Sequence, residues 1–172
     1  DLHGRDRRQR QMCMRDRARK WFADAVPAHT DAVGPHHPLA VAANTAVTTV
    51  LISMPSLGFK PAAEAVLQLA IAANGHLNET APWSRMKQPG KEAEVGDDLY
   101  AVLEATRIVG LLLSPLLPEL STRILEQLGT SINPDGWTEQ LSWGGLVSGA
   151  SLPKPSPVMQ RLELEAVSYT HL

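Results

Sequence analysis

The chain has 172 residues and a mass of 18.7 kDa, enough for one ordinary domain, with 44% apolar and 20% charged residues. This composition excludes wholesale disorder, and the single cysteine, Cys13, excludes a disulfide scaffold or a Cys-based zinc cluster. The net charge of −2 hides an asymmetry: residues 1–17 hold six Arg against three acids (+3), and residues 18–172 hold ten Lys and Arg against fifteen acids (−5).

The two ends differ in character from the rest of the chain. Residues 1–17 carry a block of charge with almost no apolar periodicity, which is typical of a solvated tail or of a basic arm that binds nucleic acid. However, RQRQMCMRDR near the start and VSYTHL at the end also resemble translated sequencing adapters, and we favour that interpretation. We therefore expect a domain over residues 18–165, flanked by non-native tails at 1–17 and 166–172.

The first predicted elements are a helix end at 19–23, closed by Pro27, and a loop over 28–38. Residues 39–54 are uncharged, but they are too short and too rich in hydroxyl groups to span a bilayer. We expect a buried or half-buried helix there and no membrane partner, although the β-branched residues leave a strand open. No secretory signal pattern is present, and with the lone cysteine this favours a cytoplasmic location.

Helical signals dominate the middle of the chain. Pro61 occupies a first helical position, and the apolar residues of 62–74 cover most of the helix circumference, so we expect a buried helix. The acidic pair after Gly96 predicts a second helix start, because carboxylates accept hydrogen bonds from first-turn N–H groups. The apolar residues of 99–113 then follow the i, i+3, i+4 pattern.

A further helix is predicted over 118–128, stopped by Gly129, and no helical period persists from Thr130 onward. The fold class predicted by these patterns is all-α: a helical bundle with an extended C-terminal segment.

The sequence offers few candidates for chemistry. It contains no glycine-rich phosphate loop and no Gly-x-Ser-x-Gly elbow. His36 and His37 are adjacent, point in different directions and lack partners at a chelating spacing, so we expect a solvated loop and no metal site. Asp97 and Asp98 fit a helix cap better than a pair of catalytic acids. We therefore predict no catalytic residue and no metal ligand.

One stretch stands out, the segment from Asn74 to Lys91, in which Trp83 directly follows a proline and basic residues follow without an acid until Glu92. The face of a Trp ring stacks on an unpaired base, and nearby Arg and Lys neutralise phosphate. The alternative is that Trp83 anchors the core at a helix start and that its neighbours are ordinary surface charges.

This stretch resembles the segment ending in Ala-Pro-Trp in the anticodon-binding domain of methionyl-tRNA synthetases. Residues 98–119 resemble the next helix of that family and its Ser-Pro-x-x-Pro break. Residues 143–149 and 157–163 resemble its closing segments. The likeness covers residues 18–165 and is strongest over 62–163.

The resemblance implies a helical bundle of the class I synthetase anticodon-binding type, which docks the anticodon loop of methionine tRNA. It implies that Trp83 stacks on an anticodon base, and we add Asn74, Arg85 and Lys87 as tRNA-binding residues. The family's other base-reading residues lie on a preceding helix, most of which we expect to be missing here, and they have no match in this chain.

The family's His-Ile-Gly-His and Lys-Met-Ser-Lys-Ser signatures, which bind ATP and activate the amino acid, are absent from the sequence. We therefore expect the partner catalytic domain to lie upstream, outside this chain. The fragment itself should be inactive and need no cofactor, since ATP would be used by that missing domain.

Two alternatives remain: a helical protein-interaction or scaffold domain without nucleic-acid binding, and the corresponding domain of another class I synthetase. Loss of the first helix should leave apolar surface on 99–113 or 62–71 without its partner, so we expect a fragment of marginal stability or one prone to associate.

Overall fold

The computed structural model describes residues 21–154 and 156–159, which are mostly helical. The helices are α1 (Pro38–Ser53), α2 (Phe59–Thr80), α3 (Pro82–Arg85), α4 (Glu92–Leu113), α5 (Pro118–Glu126) and α6 (Trp137–Gln140), with 3-10 turns at Asp31–Val33, Met54–Ser56 and Pro134–Gly136. Within the described residues, β structure is limited to one antiparallel bridge between Ala25 and Ser151. The all-α prediction is confirmed. The tails predicted at 1–17 and 166–172 lie outside the described residues.

Helix α4 lies at the centre of the fold, where it packs against α1, α2 and α5. It is buried on nearly every side, and Tyr100, Ile108 and Leu111 are each at most 1% exposed. Burial of each such side chain stabilises the fold by about 1.5–3 kcal/mol. The core of the domain is therefore organised around this helix.

Helix α1 settles the choice that the sequence left open over 39–54. Pro38 occupies its first turn, and the Nδ1 atom of His37 caps it by accepting a hydrogen bond from the N–H of Leu39 at 3.2 Å. Leu39, Ala43, Ala46 and Val50 recur at helical spacing and are all buried. A helix rather than a strand forms because this spacing gives one continuous apolar face.

The stretch Asp31–Ser56, which contains α1, is the part of the described chain that is long and apolar enough to pass for a membrane span, with a mean hydropathy of 1.4. In the structure its central helix packs against α2 and α4. Leu39, Ala43, Ala46 and Val50 of this helix are buried, but only 28% of its most apolar stretch lies inside the protein. Length and composition, which core helices of soluble domains share, do not by themselves establish a membrane span.

Helix α2 corrects two expectations. It begins at Phe59, before Pro61, and continues to Thr80, beyond the predicted end at 74. The prediction that it is buried all round was wrong, because Leu67 is 57% exposed and Ile71 is 53% exposed. Its partners α1 and α4 cover only the face that carries Ala62, Val66 and Leu69.

The start of α4 corrects a third expectation, since the helix begins at Glu92 and runs through Gly96, Asp97 and Asp98. Acidic residues do complement the helix dipole there, but they are Glu92 and Glu94. Gly96 is needed for packing: a Cβ atom at this position would lie 2.9 Å from the carbonyl oxygen of Ala28. The interpretation of Asp97 and Asp98 as a helix cap was therefore wrong.

The segment after Thr130, which was predicted to be extended, contains the 3-10 turn Pro134–Gly136 and the short helix α6. Its later part is not helical and pairs with the beginning of the described chain. The N–H of Val26 donates to the carbonyl of Ala150 at 2.8 Å, and that of Leu152 donates to the carbonyl of Asp24 at 2.7 Å. Farther along, the N–H of Ser156 donates to Gln127 Oε1 at 3.0 Å. These bonds tie residues 149–152 to the segment 24–26 and tie Ser156 to the end of α5.

A largely apolar groove of about 330 Å³ runs between α2, α4 and α5. Its walls include Ala70, Leu77, Val102, Val109 and Ile124. The groove coincides with parts of both segments that were expected to lose a packing partner. Marginal stability or association of the fragment stays a prediction.

Candidate nucleic-acid interface

Trp83 lies in the short helix α3, at the point where the chain reverses after α2. Ala81 closes α2 in the left-handed conformation at φ 41°, and Pro82 then starts α3 and is buried. Left-handed backbone costs a residue with a side chain about 1–2 kcal/mol, so the surrounding packing must hold this turn. Trp83 itself is partly exposed. The predicted helix start at Pro82 is confirmed.

Arg85, at the end of α3, contacts α4. Its Nη1 atom lies 3.2 Å from Glu94 Oε2, and Nη2 pairs with Asp98 Oδ2. The Arg85 side chain is 26% exposed and that of Asp98 only 12%. Arg85 is therefore bound within the protein rather than projecting freely toward a ligand.

Two histidines extend this cluster. His76 Nε2 lies 3.1 Å from Asp98 Oδ1, and the rings of His76 and His37 meet edge to face with their centroids 5.2 Å apart. Burial lowers the pKa of His76, an effect that Glu79 opposes and Arg85 reinforces. Burial, together with His76, also lowers the pKa of His37. We therefore treat His76 as neutral at pH 7.

His37 corrects the expectation of a solvated His36–His37 loop. His36 is exposed, but His37 is half-buried, and its ring also lies parallel to that of Trp143 with the centroids 6.4 Å apart. Among the described residues, no group of three or more His, Cys, Asp or Glu side chains could hold a metal ion.

The other two predicted residues, Lys87 and Asn74, lie after α3 and on α2. Lys87 is exposed just after α3 and forms no ion pair within the described part of the chain. Lys91 pairs with Glu94 Oε1 at 2.5 Å, and that hydrogen bond lowers the pKa of Glu94. Asn74 is exposed on α2, where it lines the apolar groove.

The structure thus places Trp83, Arg85 and Lys87 on one short segment and Asn74 at the groove. Sequence reasoning missed the two acids that hold Arg85, Glu94 and Asp98. They are four residues apart and so share one face of α4. That spacing places both acids on one face of the helix, but it does not show that this face meets Arg85.

Comparison with known proteins shows the family of this chain. The family model described as the anticodon binding domain of methionyl tRNA ligase matches residues 26–168. The chain belongs to this family. The matched range contains every predicted site residue, and it ends three residues beyond the predicted domain end at 165.

Individual relatives agree. A methionine–tRNA ligase of Synechocystis is 37% identical over an alignment of 144 positions that covers 78% of this chain and 27% of the relative. A chloroplastic/mitochondrial methionine–tRNA ligase of Arabidopsis thaliana is 40% identical over an alignment of 113 positions that covers 63% of this chain and 18% of the relative. The chain therefore spans about a quarter or less of these proteins.

Solved structures show the same fold. The apo methionyl-tRNA synthetase of Mycobacterium tuberculosis matches with a TM-score of 0.73 and 26% identity, covering 90% of this chain and 31% of that protein. The chain thus corresponds to about a third of that protein. Family membership decides against a scaffold domain and against another class I synthetase, the two alternatives left open by the sequence.

Proposed function

We propose that this domain binds the anticodon loop of methionine tRNA at a surface centred on Trp83. Family membership makes it an anticodon-binding domain, and the observation that supports the surface is the partly exposed Trp83 on a short helix held against α4. An aromatic ring of this kind stacks on an unpaired base, worth about 1–3 kcal/mol.

The charges around Trp83 support a division of roles among the predicted residues. Lys87 is exposed and lies four residues after Trp83, so we assign it the phosphate contact. Arg85 is already paired with two carboxylates. Asn74 remains a candidate contact for RNA that extends toward the groove.

The parent protein is, in this proposal, an ATP-dependent methionine–tRNA ligase. Its catalytic domain would carry the ATP site and the amino-acid activation, and this domain would present the anticodon loop to it. This domain holds no proposed catalytic residue. The cytoplasmic location of the parent stays a prediction.

Titration of the 172-residue chain with the anticodon stem-loop of methionine tRNA at low salt tests the proposal. Trp83→Ala should weaken binding by about 1–3 kcal/mol, about five- to 150-fold in Kd. The matched control is Phe59→Ala, which removes an aromatic side chain that is 50% exposed at the start of α2 and should leave Kd unchanged. Equal affinity of wild type and Trp83→Ala would refute the role of Trp83.

The phosphate contact has a separate measurement. Lys87→Gln should reduce the slope of log K against log salt by about 0.7, the value for one phosphate on a single strand. Lys60→Gln is the control, because its side chain is 84% exposed on α2 and should leave the slope unchanged. A slope that Lys87→Gln does not alter would assign the phosphate contact to another residue.

A further inference from the structure

Arg85 lies two residues after Trp83 and connects α3 to α4. Its charge is paired with carboxylates of α4, so the proposed function gives it no contact with RNA. Arg85 meets Glu94 at 3.2 Å and also pairs with Asp98, while Lys91 meets Glu94 at 2.5 Å. Two cations and two carboxylates therefore balance, and His76, which also contacts Asp98, adds no charge at neutral pH.

Helix α3 needs such contacts because it cannot be stable alone. It has four residues, well below the roughly 12–15 that an isolated helix needs to persist in water. It lies between the left-handed Ala81 and Gly90, which has φ 81°, so both of its connections are turns. Its contacts include the buried Pro82, the packing of Met86 against the cluster of Leu77, Val95 and Leu99, and the pairs formed by Arg85.

The helical phase relates Arg85 to Trp83. Residues two apart on an α-helix are separated by about 200° around its axis. When Arg85 points toward Asp98 on α4, Trp83 is therefore directed to the opposite side of α3.

We propose that Arg85 and Asp98 are positioning residues for RNA binding: their pair orients Trp83 and makes no contact with RNA. This inference rests on the proposed function, and it replaces the expectation that Arg85 neutralises phosphate. Glu94 supports the pair from one turn earlier on α4, and His76 holds the second oxygen of Asp98.

The test is a double-mutant cycle on binding of the same anticodon stem-loop. Arg85→Gln and Asp98→Asn should each weaken binding about tenfold, and neither should weaken it further in a Trp83→Ala background. Arg85→Gln should leave the salt slope of binding unchanged. Arg85→Lys, which keeps the charge, should restore most of the affinity.

Further loss of affinity on Arg85→Gln in the Trp83→Ala background, together with a lower salt slope, would assign Arg85 to the RNA and overturn the inference. The matched control is Arg123→Gln, which removes an arginine from an exposed pair with Glu119 on α5 and should leave binding unchanged. Trp83→Ala without effect overturns the proposed function. If Trp83→Ala weakens binding but Asp98→Asn does not, only the positioning role is overturned.

A measurement without RNA guards against a variant that fails to fold. The indole N–H resonance of Trp83, assigned by its loss in Trp83→Phe, should shift in Arg85→Gln while the indole resonances of Trp137 and Trp143 stay in place. The two reference indoles donate to the carbonyls of Leu111 and Val33 in the core and therefore report global folding. An unshifted Trp83 resonance in a folded Arg85→Gln variant contradicts the inference.

Discussion

Helix α4 carries two ion-pair networks of opposite character. In one, Glu104 is fully buried and pairs with Arg107, whose side chain is 5% exposed. In the other, Asp98 pairs with the quarter-exposed Arg85 at the end of α3. The two acids are six residues apart on the same helix, yet only the second network faces the candidate RNA surface.

The buried network is complete, and that explains how it is tolerated. Both carboxylate oxygens of Glu104 accept hydrogen bonds from Arg107, at 2.6 and 3.0 Å, and from three backbone N–H groups, those of Gly144, Gly145 and Leu146 at 2.8, 2.9 and 3.0 Å. Arg107 also donates to the carbonyls of Gln140 and Ser142. A buried charge is expensive unless its partners satisfy it in this way.

The difference is instructive about what each network does. The Glu104 network joins α4 to a loop 40 residues later in the chain and so supports the architecture of the whole domain. The Asp98 network holds a helix of four residues, on which Ser84 is exposed and Trp83 is partly exposed. Both networks are arginine–carboxylate pairs. The buried pair supports the domain as a whole, and the pair near the surface holds one short helix.

The largest expected effect is at Glu104. Glu104→Gln keeps the shape but leaves the Arg107 charge buried without a counter-ion, which should cost about 3–5 kcal/mol of unfolding free energy. Denaturant unfolding measures it. Glu119→Gln, at an acid whose side chain is 88% exposed on α5, should change stability by less than about 1 kcal/mol. If the two variants lose equal unfolding free energy, the buried pair is no more important for stability than the exposed pair.

Gly145→Ala should have the next largest effect. A Cβ atom there would lie 2.5 Å from Arg107 Cζ and 2.6 Å from Nη2, so the guanidinium must leave its place. Overpacking of this kind costs about 1–3 kcal/mol. The control is Gly75→Ala in α2, where nothing lies within 4 Å and where the better helix former should stabilise by up to about 1 kcal/mol. Opposite signs in thermal unfolding are expected, and a neutral Gly145→Ala would show that Arg107 has room to move.

The smallest of these effects is a pH dependence at the edge of the Asp98 network. The pKa of His37 is lowered in the folded protein, so its stabilising contribution is present above the unfolded value of about 6.5 and is lost as pH falls through the folded pKa. Protonated Nδ1 can no longer accept from the N–H of Leu39, and loss of a helix cap costs about 1 kcal/mol.

His37→Asn tests this by keeping a capping side chain that does not titrate. Comparison of its unfolding free energy with that of wild type at pH 7.5 and pH 5, values chosen on either side of the unfolded pKa, should show a smaller loss on acidification in the variant. His36→Asn, at an exposed neighbour, should follow the wild type. If His37→Asn loses as much unfolding free energy on acidification as the wild type, another group causes the pH dependence.

Local patterns were sufficient to predict much of the fold from sequence. The uncharged, apolar stretch 39–54 predicted a buried or half-buried helix, although its β-branched residues left a strand open, and Pro82 marked the start of α3. The family resemblance, carried by the stretch ending at Trp83, predicted the architecture and was confirmed.

The errors arose where tertiary contacts decide. Gly96 looked like a helix boundary but is there because the carbonyl of Ala28 approaches closely. Asp98 looked like a cap because its partners, His76 and Arg85, are 22 and 13 residues away and lie on other helices. No local pattern distinguishes an acid that caps a helix from one that meets an arginine across an interface.

The most direct test of the central claim, that Trp83 stacks on an anticodon base, changes protein and RNA together. Wild type and Trp83→Ala are each titrated with the anticodon stem-loop of methionine tRNA and with a stem-loop that carries abasic sites in place of the anticodon bases. The abasic sites should weaken binding to wild type by about 1–3 kcal/mol and leave binding to Trp83→Ala nearly unchanged. Equal losses for both proteins would mean that the anticodon bases bind somewhere other than Trp83.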